Sequence, residues 1–145
     1  MANWTTPIYD RTQADVDYAR QQIAQQINTG EYKGCFNYTD INRIENNTRY
    51  LSDTLFALSY FNALTTTTWT ASGTPSQNHV DRIINNINVL WEKWGKPPNA
   101  MSLPDTLLTY EQVNNIEKNI FFLKEMLDNM TSSFKQCNTF ECGEA

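Results

Sequence analysis

Isoleucine, asparagine and leucine recur three times along this chain at one spacing, i, i+3 and i+7. The copies are Ile44, Asn47 and Leu51; Ile83, Asn86 and Leu90; and Ile116, Asn119 and Leu123. Those offsets fall on one face of an α-helix, so the pattern predicts three similar helices packed against one another. The first is expected over 40–62, capped by Thr39 or Asp40, with Ile44, Thr48, Leu51, Leu55 and Leu58 facing inward. The second is expected over 77–94, capped by Ser76 or Asn78, with Val80, Ile83, Ile87, Leu90 and Trp94 inward. Gly95 stops it and Pro97-Pro98 forbids its continuation. The third is expected over 110–134, capped by Thr109 with Gln112 in the reciprocal position. Its stripe of Val113, Ile116, Ile120, Leu123, Leu127, Met130 and Phe134 alternates steps of three and four. That is a coiled-coil spacing, but in a chain this short it reads as the core face of a bundle.

A further helix is predicted over 12–28, opened by Thr12 and Asp15 as a capping box and ended by Thr29-Gly30. Its stripe of Val16, Ala19, Ile23 and Ile27 is thin, so it docks on one neighbour, either this bundle or another subunit. Three stretches have no helical period. Residues 1–11 form an arm with Trp4, Pro7, Ile8 and Tyr9. Residues 63–76 hold four consecutive threonines, Trp69, Gly73 and Pro75, and residues 95–108 hold Met101, Leu103, Leu107 and Leu108 among prolines. The expected fold is therefore all-α: a three-helix core bundle, a peripheral N-terminal helix and extended proline/threonine-rich straps. All of this reads as one domain over 1–145, with the arm at 1–11 and an unpatterned tail at 135–145.

Asn47, Asn86 and Asn119 sit at the edge of each buried stripe. A half-buried amide without partners costs about 1–3 kcal/mol. Strap backbone that cannot pair with itself needs such partners too, so these asparagines are predicted to pin straps to helices. Residues 39–134 carry nearly all the periodicity and are expected to fold by themselves. Trp4, Ile8 and Tyr9 of the arm and Phe140 of the tail have no local pattern to bury them, which marks them as candidate partner-binding residues.

Composition narrows the function classes. A net charge of −5 and a pI near 4.7 argue against a nucleic-acid partner or an anionic membrane surface. Seventeen asparagines and seventeen threonines against only 19% charged residues make a surface suited to protein neighbours or glycans. The opening residues have no basic stretch followed by an apolar core, and no apolar run approaches the ~20 residues of a membrane span. Three cysteines, Cys35, Cys137 and Cys142, are an odd number for a disulfide framework. With the single His79 they do not compose a metal site of tetrahedral spacing. No nucleophile motif, phosphate loop or dinucleotide fingerprint is present, so neither catalysis nor a cofactor is expected. The sequons at Asn3, Asn37, Asn46 and Asn129 are read as chance.

Two stretches, PIYDRTQADVDYA at 7–19 and KGCFNYTDINRIENNTRYL at 33–51, resemble a helical module recurring in tailed phages and prophages of Gram-positive bacteria. VDRIINNINVL at 80–90, YEQVNNIEKNIFFL at 110–123 and the closing CGE at 142–144 fit the same pattern. The resemblance implies a virion structural protein of the tail or baseplate, a connector or adaptor with no catalytic residues. Its partners would be other virion proteins and copies of itself, and release from the host would be by lysis. A glycan- or receptor-binding module stacking on Trp4, Trp69 and Trp91, and a capsid decoration protein, are the alternatives.

Overall fold

A computed structural model describes residues 3–27, 31–60, 62–70 and 76–139, excluding the side chains of 133–139. Among the described residues the chain is all-helical, with four helices and no strand. They are α1 (Gln13–Ala24), α2 (Tyr38–Ala57), α3 (Gln77–Lys93) and α4 (Tyr110–Thr139).

Each helix opens on a polar residue bonded to the residue three positions later. Thr12 N–H donates to Asp15 Oδ2 (2.9 Å) and Thr109 N–H to Gln112 Oε1 (3.0 Å). Ser76 N–H donates to His79 Nδ1 (2.9 Å). In α2 the cap is Asn37, whose N–H donates to Asp40 Oδ2 (2.8 Å), so the helix starts before the expected Thr39 or Asp40. In α2, α3 and α4 the interval from that third residue to the first isoleucine of the repeat is the same: Asp40 to Ile44, His79 to Ile83, Gln112 to Ile116. The repeat thus carries the helix start with it.

Two helices end earlier than their periodicity suggests, by the same device. At the end of α1, Ile27 N–H donates to Gln22 O (3.0 Å) and Gln26 N–H to Ile23 O (2.9 Å). At the end of α2, Tyr60 N–H donates to Leu55 O (2.8 Å) and Ser59 N–H to Phe56 O (3.0 Å). This paired closure needs one left-handed residue, a role usually filled by glycine. Here Gln26 (φ 59°) and Ser59 (φ 72°) take it. A side chain in that conformation costs roughly 1–2 kcal/mol, so the sequence shows no stop there. Thr29-Gly30 lies outside the described residues, and α4 runs five residues past the expected 134.

The buried apolar cluster draws on α2, α3 and α4, with Leu107 from the segment before α4. Ile44, Leu51, Leu90, Ile116 and Leu123 have no exposure at all and Ile83 has 3%. Of α1, only Ala19 is buried. Gly34 fixes where α1 lies, because a Cβ there would stand 2.2 Å from Asp15 O.

The three repeat-bearing helices run in the same direction. Arg43 of α2 meets Glu117 of α4 near their starts, and further along Trp4 lies beside both Tyr50 and Lys124. Arg82 of α3 meets Glu45 of α2. To begin successive helices at one end of the molecule, the chain must come back along the length of each. It does so in non-helical segments: Leu64 lies beside Arg49 and Trp69 beside Asn42, antiparallel to α2. Likewise Met101 lies beside Asn119 and Thr106 beside Gln112, antiparallel to α4.

Leu51→Ala deletes a side chain with no exposure between the parallel helices. It should cost about 2–5 kcal/mol in urea denaturation; a loss under about 0.5 kcal/mol would place the core elsewhere.

Candidate functional site

Most of the polar residues buried in the molecule meet non-helical segments; Thr48, which donates to Ile44 O of its own helix, is an exception. Asn47 accepts from Thr5 N–H (2.9 Å) and donates to Thr5 O (2.7 Å). Asn119 does the same to Met101 (2.7 and 3.1 Å), and Asn86 donates to Thr65 O (2.8 Å). All three asparagines of the repeat therefore hold backbone outside their own helix. Two more asparagines, five positions earlier in α2 and α4, repeat the double bond. Asn42 holds both backbone groups of Trp69 (2.7 and 2.9 Å), and Asn114 holds both of Arg11 (3.3 and 3.0 Å). An amide side chain carries a donor and an acceptor, the same complement as one residue of a neighbouring strand. Each asparagine thus stands in for a strand partner that this fold lacks.

Between α2, α4 and residues 3–11 lies a closed ionic cluster. Arg11, with a 2% exposed side chain, donates from Nη2 to Asp40 Oδ1 and from Nη1 to Glu117 Oε2, both at 2.9 Å. Arg43 bonds the same carboxylates, Glu117 at 2.6 Å and Asp40 at 2.7 Å. Two cations meet two anions. Burial works against the charge on Arg43, but the bonds and charge of Glu117 and then of Asp40 outweigh it and raise its pKa. Glu117 Oε1 also accepts from Ile8 N–H (3.2 Å). Every charge in the cluster has a partner, and its work is to bind the 3–11 segment to the bundle.

The corresponding place between α2 and α3 is built more sparsely. Glu45 accepts from Thr67 N–H (2.6 Å) and meets Arg82 at 2.5 Å. Glu45 Oε1, Arg82 Nη2 and Trp69 Nε1 are nevertheless buried without a well-formed hydrogen bond, so this place is less completely satisfied than the α2–α4 cluster. Burial is the largest influence on Glu45. It pushes the carboxyl above its ordinary value of 4.5, against the lowering effects of Thr67, Arg82 and Trp69.

Trp4, Ile8 and Tyr9, expected on an arm reaching for a neighbour, lie against their own chain. Trp4 packs on the core and on Tyr50 (centroids 5.8 Å apart), and Tyr9 meets Phe121 (5.3 Å). Arg11 explains why: a buried cation there ties the whole segment to α2 and α4. The region 39–134 is accordingly not closed without it, since Asn47, Asn114 and Glu117 spend bonds on residues 5, 8 and 11. Phe140 lies outside the described residues. Trp69 and Trp91 are partly buried against the core, and the half-buried His79, edge-on to Trp69, serves as the cap partner of α3.

The residues missed from the sequence are Arg11, Asp40, Arg43, Glu45, Arg82 and Glu117. A signal existed: the repeat places arginine before the isoleucine in two copies, Arg43 and Arg82, and glutamate after it in two, Glu45 and Glu117.

One surface feature stands apart from this scaffold. A cleft of about 390 Å³ opens between α1 and the start of α4, lined by Val16, Ala19, Arg20, Ile23, Cys35 and Leu108 among others. Leu108 is 86% exposed and Ile23 53%. Cys35 is a free thiol, with its pKa raised by burial and by the charge of Asp40.

Comparison with protein-family models, curated proteins and solved structures finds no match. The reading therefore rests on geometry. Among the described residues no helix is long and apolar enough to cross a membrane, and no group of three or more His, Cys, Asp or Glu is placed to hold a metal ion.

Asn119→Leu adds apolar area but strips Met101 of both backbone partners. It should destabilise by about 1–3 kcal/mol, whereas a neutral or stabilising result in thermal melts would show that the clamp contributes nothing. Glu45 gives a pH signature. A carboxyl whose pKa is raised on folding binds its proton more tightly in the folded state, so its charge is a cost at neutral pH. That cost is relieved as pH falls through the folded value toward 4.5. The stability of the wild type relative to Glu45→Gln should therefore rise between neutral pH and pH 4.5, read from urea midpoints. A difference that shrinks as pH falls would reverse the assignment.

Proposed function

We propose that this protein is a non-enzymatic structural component of a phage particle, a connector or adaptor of the tail or baseplate that works through protein contacts. The observation that carries the reading is how the charged and amide groups of the interior are used. They bind the chain's own segments to its helices, leaving a rigid body rather than a reactive cleft. The straps expected from the sequence are, on this reading, the 62–70 and 94–108 segments held by Asn42, Asn86 and Asn119.

Attachment to neighbours then falls to α1 and the cleft beside it. Ile23 and Leu108, which line the cleft, are large apolar side chains left in solvent, and Tyr18 (56%) of α1 is another. Exposed apolar groups sharing one cleft favour a protein partner, here another virion protein or a second copy of this chain. A capsid decoration role uses the same surface. The glycan-binding alternative draws less support, because the indole nitrogens of Trp69 and Trp91 are buried and all three candidate tryptophans pack on the core.

The double substitution Ile23→Asp and Leu108→Asp should leave helicity and melting temperature nearly unchanged, since both side chains are exposed. The same protein should be missing from purified particles. Normal incorporation would remove α1 as the attachment surface, and absence of the wild-type protein from particles imaged by electron microscopy would end the virion reading.

A further inference from the structure

We infer that the groove between α2 and α4 is a binding site for an extended peptide, whose ligand is this chain's own 3–12 segment and which accepts that segment as a separate peptide. The inference does not depend on the particle to which the protein belongs.

The bonds holding the segment come from residues distant in the chain. Thr5 is held by Asn47, 42 positions away; Ile8 by Glu117, 109 away; Arg11 by Asn114, 103 away, and by Asp40, 29 away. Arg11 also donates to Lys33 O and, locally, to Ile8 O. Apart from the local bond to Ile8 O, these are contacts that a separate peptide of the same sequence makes equally well.

The groove also reads its ligand in a defined way. Asparagines of this fold clamp both backbone groups of Thr5, Arg11, Trp69 and Met101, four positions with unrelated side chains. Recognition at a clamp is therefore of extended backbone, tolerant of residue type. Selectivity comes from Arg11, whose guanidinium completes the charge balance of Asp40, Arg43 and Glu117. No other returning segment among the described residues brings a cation to such a place: Trp69, clamped as Arg11 is, presents an indole instead. The site accordingly takes an extended segment with an arginine six residues after the first clamped position.

The test keeps the full chain and cuts it after folding, at a protease site inserted between Ile27 and Asn28. The two pieces should elute together as a helical complex, and a labelled synthetic peptide of residues 1–27 should exchange into it. An unlabelled Thr5→Val peptide should compete within about twofold of the native one, because only the backbone of Thr5 is read. An Arg11→Ala peptide should compete on the order of tenfold or more weakly, having lost a buried ion pair. Failure of the peptide to exchange, unfolding of the cut chain, or equal damage from both substitutions would overturn the site.

Discussion

Parallel helices impose a debt of unpaired backbone, and the rest of this structure follows from how it is met. Three helices that start at one end require the chain to return the full length of the bundle before each new start. A returning segment packed between helices has no ladder to join, and buried peptide groups left without partners are costly. Asparagine solves this, because one side chain offers a donor and an acceptor to one residue of the segment. Asn42, Asn47, Asn114 and Asn119 each do so, and Asn86 does half of it. The abundance of asparagine is thus partly architectural.

The ionic cluster is the same solution carried further. Arg11, Asp40, Arg43 and Glu117 form a closed set in which no charge is left over. Buried ion pairs are poor sources of net stability, but breaking one by removing a partner is expensive. Such a cluster fixes which segment lies in which groove more than it strengthens the fold. The α2–α3 junction, with Glu45 and Arg82 alone, is the looser version, and Ile84 stands at the equivalent place in α3. The α2–α4 and α2–α3 grooves share a plan but differ in charge, which distinguishes the segments that fill them.

What the sequence made legible was whatever obeys a period. The Ile–Asn–Leu repeat placed three helices, their buried faces and the asparagines with backbone-binding roles. Helix ends at Gln26 and Ser59 were invisible because non-glycine residues occupy a glycine conformation. Arg11 was hidden for another reason. It lies in a stretch with no period, and its partners Asp40 and Glu117 are 29 and 106 positions away. A buried charge announces itself only when the groups around it are known, so the segment that carries it looked like a detached arm.

The common direction of α2, α3 and α4 has an electrical side. Each helix bears a dipole equivalent to about half a positive charge at its start and half a negative one at its end. In an antiparallel bundle these cancel; here they add along one axis. The capping contacts of Asn37 with Asp40, Ser76 with His79 and Thr109 with Gln112 quiet the starts. The far end, by contrast, gathers the negative poles of the three dipoles. The molecule thus has a head and a tail in its field as well as in its shape, and copies brought together in salt-poor solution would feel that polarity before touching.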